Sequence, residues 1–219
     1  MTINWRGQSC FQISSSQGKN NAISILIDPF EESIGLKLPR KLEADVVLIT
    51  HEHYDHNNVK KVSGSPFVIR GPGEYELKGA YIKGIPAYHD NSGGKEKGGT
   101  TIYTIDLEDN IRICHLGDLG QKELTPEQLE EISDVDILML PVGGIFTTNA
   151  EEAIKVMSQI EPKITIPMHY KIPGLNIKLE GVDKFLKTLG IKSLEPLLKL
   201  SIKKKEISAE EAKIIVLQP

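Results

Sequence analysis

Short apolar runs rich in β-branched residues recur at 23–28 (ISILID), 44–50 (ADVVLIT), 111–114, 137–140 and 164–167, each about as long as one buried strand. Between them the period becomes helical. Thr125-Pro126-Glu127-Gln128 joins a capping hydroxyl, a first-turn proline and a reciprocal glutamine, which predicts a helix to about residue 132. Ala153, Ile154, Met157 and Ile160 share a second helical face that opens near Ala150, with Thr148 or Asn149 placed to cap it. Val182, Phe185, Leu186 and Leu189 share a third, which Gly190 stops. Residues 67–89 alternate instead, with turn signals at Gly71-Pro72-Gly73 and Gly79, and read as antiparallel strands; Asp109-Asn110 marks a further hairpin turn. The expected fold is α/β (α+β): sheet on sheet, helices on the outer faces, one domain over 1–219. The segment 91–100 (NSGGKEKGGT) reads as a mobile loop.

Bulk chemistry narrows the partners. A net charge of -4 gives no general attraction for nucleic acid or an anionic membrane, so a small-molecule substrate is favoured over nucleic acid and no membrane partner is expected. The first residues lack the apolar core of a signal peptide, and no run approaches the roughly 18 apolar residues of a membrane span, so a cytoplasmic location is expected. Cys10 and Cys114 stand far apart and read as buried, reduced thiols. Lys203, Lys204 and Lys205 read as solvated surface.

The candidate chemistry lies at strand ends. ADVVLIT runs directly into His51-Glu52-His53-Tyr54-Asp55-His56, three imidazoles and a carboxylate within six residues. Such crowding needs a cation to use the lone pairs, whereas a lone histidine is ordinarily a satisfied core or surface group. Residues two apart at a strand end point the same way, so His51 and His53 can hold one ion together. Asp55 and His56 follow after the chain turns and can face a second. The remaining histidines are His89, His115 and His169, and none of the six falls on a helix face.

The motif HEHYDH resembles the H-x-H-x-D-H signature of the metallo-β-lactamase superfamily. WRGQSCFQI, ILIDPF, IPAYHD, CHLGDLG, LPVGGIFTTNAEEA and IPMHY follow the order of the branch similar to ascorbate-6-phosphate lactonase. The resemblance implies a four-layer αββα sandwich with a dinuclear site at one edge. It places His51, His53 and His89 on one metal, Asp55, His56 and His169 on the other, and Asp118 between them. His115 matches no ligand position and is expected to hydrogen-bond or pack beside the ligands, or to touch substrate. Gln8 stands where relatives commonly carry histidine and Asn149 where they carry an acid. Gln8 cannot carry a proton at neutral pH, while Asn149 can still cap a helix.

Two divalent ions about 3.5 to 4 Å apart lower the pKa of a shared water toward about 7 and present hydroxide, with Asp55 and Asp118 as orienting and proton-accepting groups. Zinc is the expected metal, with manganese, iron or nickel also suited to these ligands. Substrate contacts are expected from Tyr54, from Gly143 and Gly144 with Thr147, and from Lys171 after His169. The favoured activity is hydrolysis of a lactone, a phosphorylated sugar derivative or a related ester. The alternatives are a phosphodiesterase or ribonuclease on the same site, or a non-catalytic metal-binding sensor. The branch resembled also makes a homo-oligomer an expectation.

Overall fold

A computed structural model of the chain describes residues 1–17, 21–107, 110–207 and 211–219. The apolar runs become inner strands of two mixed sheets. The first sheet contains β1 (Thr2–Trp5), β2 (Phe11–Gln17), β3 (Asn21–Ile27), β4 (Val46–Ile49), β5 (Phe67–Arg70) and β12 (Leu200–Ser201), in the order β12-β1-β2-β3-β4-β5. The second contains β6 (Gly73–Leu77), β7 (Ala80–Tyr88), β8 (Gly99–Asp106), β9 (Arg112–His115), β10 (Ile137–Pro141), β11 (Ile164–Met168) and β13 (Lys213–Ile214), in the order β13-β11-β10-β9-β8-β7-β6. Both contribute to one apolar core, in which β4, β10 and β11 are buried along their whole length. That is why these strands read as continuous rather than alternating apolar runs.

Three α-helices are described: α1 (Pro126–Ile132), α2 (Ala150–Ile160) and α3 (Val182–Thr188). Thr125 and Gln128 form the capping box foreseen for α1, and Asn149 caps α2 by accepting from the N–H groups of Glu151 and Glu152. Helices α1 and α2 lie against β7 and β10 of the second sheet. The connections of the first sheet carry short 3-10 turns at Glu32–Ile34 and Val59–Lys61. The layered α/β sandwich is as expected, with its α-helical cover lighter on that side. Among the described residues, no helix is long and apolar enough to cross a membrane. Cys10 and Cys114 are both buried and free.

Two expectations are corrected. Gly71-Pro72-Gly73 does not turn a hairpin: β5 pairs in parallel with β4, and the chain then crosses to the other sheet to start β6. Glycine and proline mark the change of direction but not the partner. The hairpin around Gly79 does form, between β6 and β7. Strands β8 and β9 are antiparallel as expected, although Asp109 of the foreseen turn lies outside the described residues. The segment read as a mobile loop is instead built around the Asp90 carboxylate, which accepts from the backbone N–H of Ser92, Gly94, Glu96 and Lys97 at 2.8–3.0 Å. Its last two residues, Gly99 and Thr100, already belong to β8. Strands β1 and β2 had no apolar run to announce them, because Thr2, Asn4, Gln12 and Ser14 alternate with core residues.

Candidate metal centre

Strand direction gathers the chemistry at one edge of the sandwich. β3 and β4 run parallel, as do β9, β10 and β11, and β7 shares the direction of β9 because each is antiparallel to β8. The residues just beyond the carboxyl ends of β3, β4, β7, β9 and β11 are Asp28, His51, His89, Asp118 and His169. In layered α/β folds, this is where ligands collect. Asp28, His169 and Gln8 adopt left-handed backbone, with φ of 46°, 51° and 51°. Such φ values are uncommon outside glycine and concentrate at functional sites.

Oδ2 of Asp118 lies 3.1 Å from Nε2 of His169, 3.2 Å from that of His56, 3.4 Å from that of His89 and 4.0 Å from that of His51. Around it, three sets of side chains bring ligand atoms within 4.8 Å of one another: His51, His53 and His89; His51, His56 and Asp118; and Asp55, His56 and His169. The outer two sets match the division implied by the family resemblance, with Asp118 lying between them.

Charge and hydrogen bonding test whether these residues fit a cation. Three carboxylates, Asp28, Asp55 and Asp118, are buried within one cluster, and buried charge needs compensation. Burial disfavours a charged His56, yet Asp118 and Asp28 outweigh it and hold its pKa well above the ordinary value. The cluster therefore favours a positive charge at its centre. Burial, reinforced by the imidazole of His56, pushes His51 down to about 2, so His51 is neutral and can offer Nε2 to a cation in place of its 2.9 Å contact with Nδ1 of His53. Burial likewise lowers the pKa of His89. Nε2 of His56 is buried and faces two carboxylate oxygens, Asp118 Oδ2 at 3.2 Å and Asp55 Oδ2 at 3.4 Å, so this nitrogen and both acids converge where a cation would be held. The donor set fits divalent metal.

Other residues aim these ligands. Asp28 is fully buried; its Oδ2 lies 3.0 Å from Nδ1 of His56 and accepts from Oγ1 of Thr50 at 2.7 Å. Oγ1 of Thr50 in turn lies 3.0 Å from Nδ1 of His51. One carboxylate thus fixes two imidazoles and turns their Nε2 atoms inward. Ser9 Oγ donates to Asp118 Oδ1 at 3.1 Å, and Gln8 Nε2 donates to Asp55 Oδ2 at 2.9 Å. His115 is buried between Ser9 and Gly117: its Nε2 lies 2.9 Å from the Ser9 carbonyl, and its Nδ1 accepts from the Gly117 N–H at 3.1 Å. It holds the segments that carry Ser9 and Asp118, and it does not line the cleft. Glycines let neighbouring loops press against the ligands, since a Cβ on Gly143 would sit 2.0 Å from the His169 carbonyl oxygen and one on Gly120 2.3 Å from that of His89.

A cleft of about 530 Å³ opens over the centre, lined by His53, Asp55, His89, Asp118 and His169 together with Tyr54, Lys97, Phe146 and Ile177. Tyr54 is where the sequence placed it. Lys171 is not, because its ammonium is taken by the backbone carbonyls of Leu175 and Ile177. The N–H of Gly144 is spent on the Thr148 carbonyl, and from that turn it is Phe146, rather than Gly144 or Thr147, that reaches the cleft. Sequence reasoning passed over Asp28, Thr50, Ser9, Phe146 and Lys97. Asp28 carried a readable signal, a lone carboxylate closing an apolar run before proline. Lys97 was hidden by the glycine-rich composition around it.

Two mixed sheets packed over one core, with a histidine–aspartate centre at their shared edge, define the metallo-β-lactamase fold. The pattern of the Beta-lactamase superfamily domain matches residues 2–169, and the chain belongs to that superfamily, among the UPF0173 metal-dependent hydrolases. A UPF0173 metal-dependent hydrolase of Thermoplasma volcanium is 31% identical over 194 residues, covering 77% of this chain and 82% of its own. One from Thermococcus onnurineus is 33% identical over 196 residues, covering 77% and 84%. The crystal structure of a Thermotoga maritima protein, described as a candidate Zn-dependent hydrolase of the superfamily, superposes with a TM-score of 0.78 at 36% identity, covering 99% of this chain and 97% of that one.

Proposed function

We propose that the protein hydrolyses a small ester, lactone or phosphorylated sugar derivative at a dinuclear centre. His51, His53 and His89 would hold one ion and Asp55, His56 and His169 the other, with the Asp118 carboxylate available to both sets. The observation that carries this reading is the position of Asp118 Oδ2 amid four imidazole nitrogens, which suits a carboxylate shared between two ions. When bound, divalent cations in such a site lower the pKa of water toward about 7 and polarise the oxygen of the scissile group.

The chain's own residues supply the rest. Burial pushes Asp55 up, but the adjacent His56 outweighs it and holds Asp55 at about 2, so its carboxylate is ionised at neutral pH, as a ligand to a cation must be. Asp118 is likewise held well below the ordinary carboxylate range: burial opposes ionisation, and His169 and His56 overcome it. Tyr54, Phe146 and Ile177 line the mouth and exclude water from one side of a bound substrate. The cleft volume lies in the range of small-molecule sites.

The test is metal analysis of purified protein with a screen of p-nitrophenyl esters, lactones, phosphate esters and RNA. Metal-dependent turnover of a small ester or lactone, lost in Asp118→Ala protein that keeps its circular dichroism, is the expected result. Turnover of RNA alone, or an Asp118→Ala protein as active as the parent, overturns the reading.

A further inference from the structure

Lys97 is the one lysine or arginine among the residues lining the cleft over the centre. Its position is built. The Asp90 carboxylate, next in the chain to His89, accepts from the Lys97 N–H at 2.8 Å, and the His89 N–H donates to the Gly98 carbonyl at 3.1 Å. The backbone of Lys97 is thereby fixed relative to a ligand of the centre, and its long side chain reaches across the mouth of the cleft. There the ammonium donates to the Phe146 carbonyl at 2.7 Å, lies 3.4 Å from that of Ile145, and stands 5.5 Å from the centre of the Phe146 ring.

All of these partners are uncharged. No carboxylate among the described residues lies within ion-pair distance of Lys97, whereas Glu52, the acidic residue at the same rim, is already engaged by Arg70 and Asn57. A cation held only by carbonyls and a ring face gains by exchanging one of them for an anion, because a full opposite charge attracts it more strongly than a carbonyl dipole does. Beside it Tyr54, Phe146 and Ile177 offer apolar surface.

We propose that Lys97 selects the substrate, and that the substrate is an anionic ester or lactone: its carboxylate or phosphate meets the Lys97 ammonium, and its apolar body lies on Phe146 and Tyr54. This deepens the hydrolase reading and rests on it for the reaction, but not for the recognition of the anion.

The experiment compares phenyl acetate with meta-carboxyphenyl acetate on the metal-loaded full chain, its Lys97→Met and Lys97→Glu variants, and titrates isophthalate and phenylphosphonate by calorimetry. The two probes separate carboxylate from phosphate-like recognition. Metal content is measured in every sample, so that loss of metal is not mistaken for loss of selectivity. The wild-type kcat/KM for the charged ester is expected to exceed that for the neutral one by about ten- to a hundredfold. Lys97→Met collapses that ratio, and Lys97→Glu inverts it.

Equal turnover of both esters by the wild type, or a ratio that survives both variants, overturns the proposal while leaving the hydrolase reading intact. If neither ester is cleaved but either probe binds in a Lys97-dependent way, anion selection stands and the hydrolase reading is decided by the wider substrate screen. Absent binding, or binding equal in wild type and Lys97→Met, assigns no anion to Lys97 and overturns it.

Discussion

Nδ1 of His56 lies 3.0 Å from Oδ2 of Asp28, and neither side chain is exposed to solvent. The same oxygen accepts from Thr50, which approaches His51, so a single buried carboxylate sets the tautomer and ring plane of two candidate ligands.

Replacing Asp28 by Asn keeps the shape but puts an amide where the carboxylate accepted its hydrogen bonds. Metal affinity is expected to fall by about ten- to a hundredfold, as for other residues that orient metal ligands. Competition with a coloured chelator measures it. An unchanged affinity would show that His51 and His56 are held without Asp28.

Gln8 makes a related case on the other side of the centre. Its Nε2 lies 2.9 Å from Asp55 Oδ2 and 2.8 Å from His169 Nε2, while its Oε1 is buried with no partner. Gln8→Leu leaves Asp55 without that donor and is expected to weaken binding of one equivalent of metal more than the other. Stoichiometry during stepwise dialysis against chelator distinguishes this from a uniform loss.

How much of this was legible in the sequence depends on how local the signal is. HEHYDH follows β4 directly, and its side chains cluster because neighbours in sequence stay neighbours in space. The cap at Thr125 was readable because a capping box spans only four residues, whereas for α2 the sequence left Thr148 and Asn149 both open and the structure puts Asn149 there. Asp28, Gln8 and Ser9 reach the centre because distant strands bring them there, and no periodicity announces a residue at φ of 46° or 51°. Lys171 and Lys97 show the same limit in reverse. Proximity to His169 in sequence favoured Lys171, yet its loop turns the ammonium onto its own carbonyls, while Lys97 is brought in by the Asp90 clamp.

That clamp can be loosened. Asp90→Ala removes the acceptor of four backbone N–H groups and of Ser92 Oγ. Faster amide exchange at Ser92, Gly94, Glu96 and Lys97, with little change in the core strands, is expected by exchange mass spectrometry or NMR. Protection as strong as in the wild type would mean that the loop is ordered by something other than Asp90.

Removing metal should destabilise the whole sandwich, because the ligands come from both sheets. A ligand present at about a hundred times its Kd stabilises the folded state by about 2.7 kcal/mol per site. The Tm is therefore expected to fall on chelation and recover when divalent metal is restored. Asp118→Ala protein should show a smaller shift. A Tm indifferent to chelator in protein verified to have held metal would contradict this.

Asp136 gives a pH dependence remote from the centre. Its buried carboxylate lies 2.8 Å from Nζ of Lys163 and 2.5 Å from that of Lys204, and it accepts from the Arg112 N–H at 3.0 Å. Burial pushes its pKa up, but Lys163, Lys204 and the Arg112 N–H outweigh it and leave the pKa below the ordinary carboxylate value. A carboxyl depressed on folding stabilises the protein at any pH above its unfolded pKa of about 3.9, and that contribution is lost as pH falls through the lower folded value. Asp136→Asn removes the charge, so it should be less stable than wild type at neutral pH and should converge on it in acid. Both lysines are partly solvated, which reduces the penalty at neutral pH to about 1 to 3 kcal/mol, below that of a fully buried pair. Urea midpoints for both proteins between neutral and strongly acidic pH give the difference directly, cancelling the other carboxylates. A difference that stays constant across that range would mean that Asp136 acts through packing or hydrogen bonding rather than through its charge.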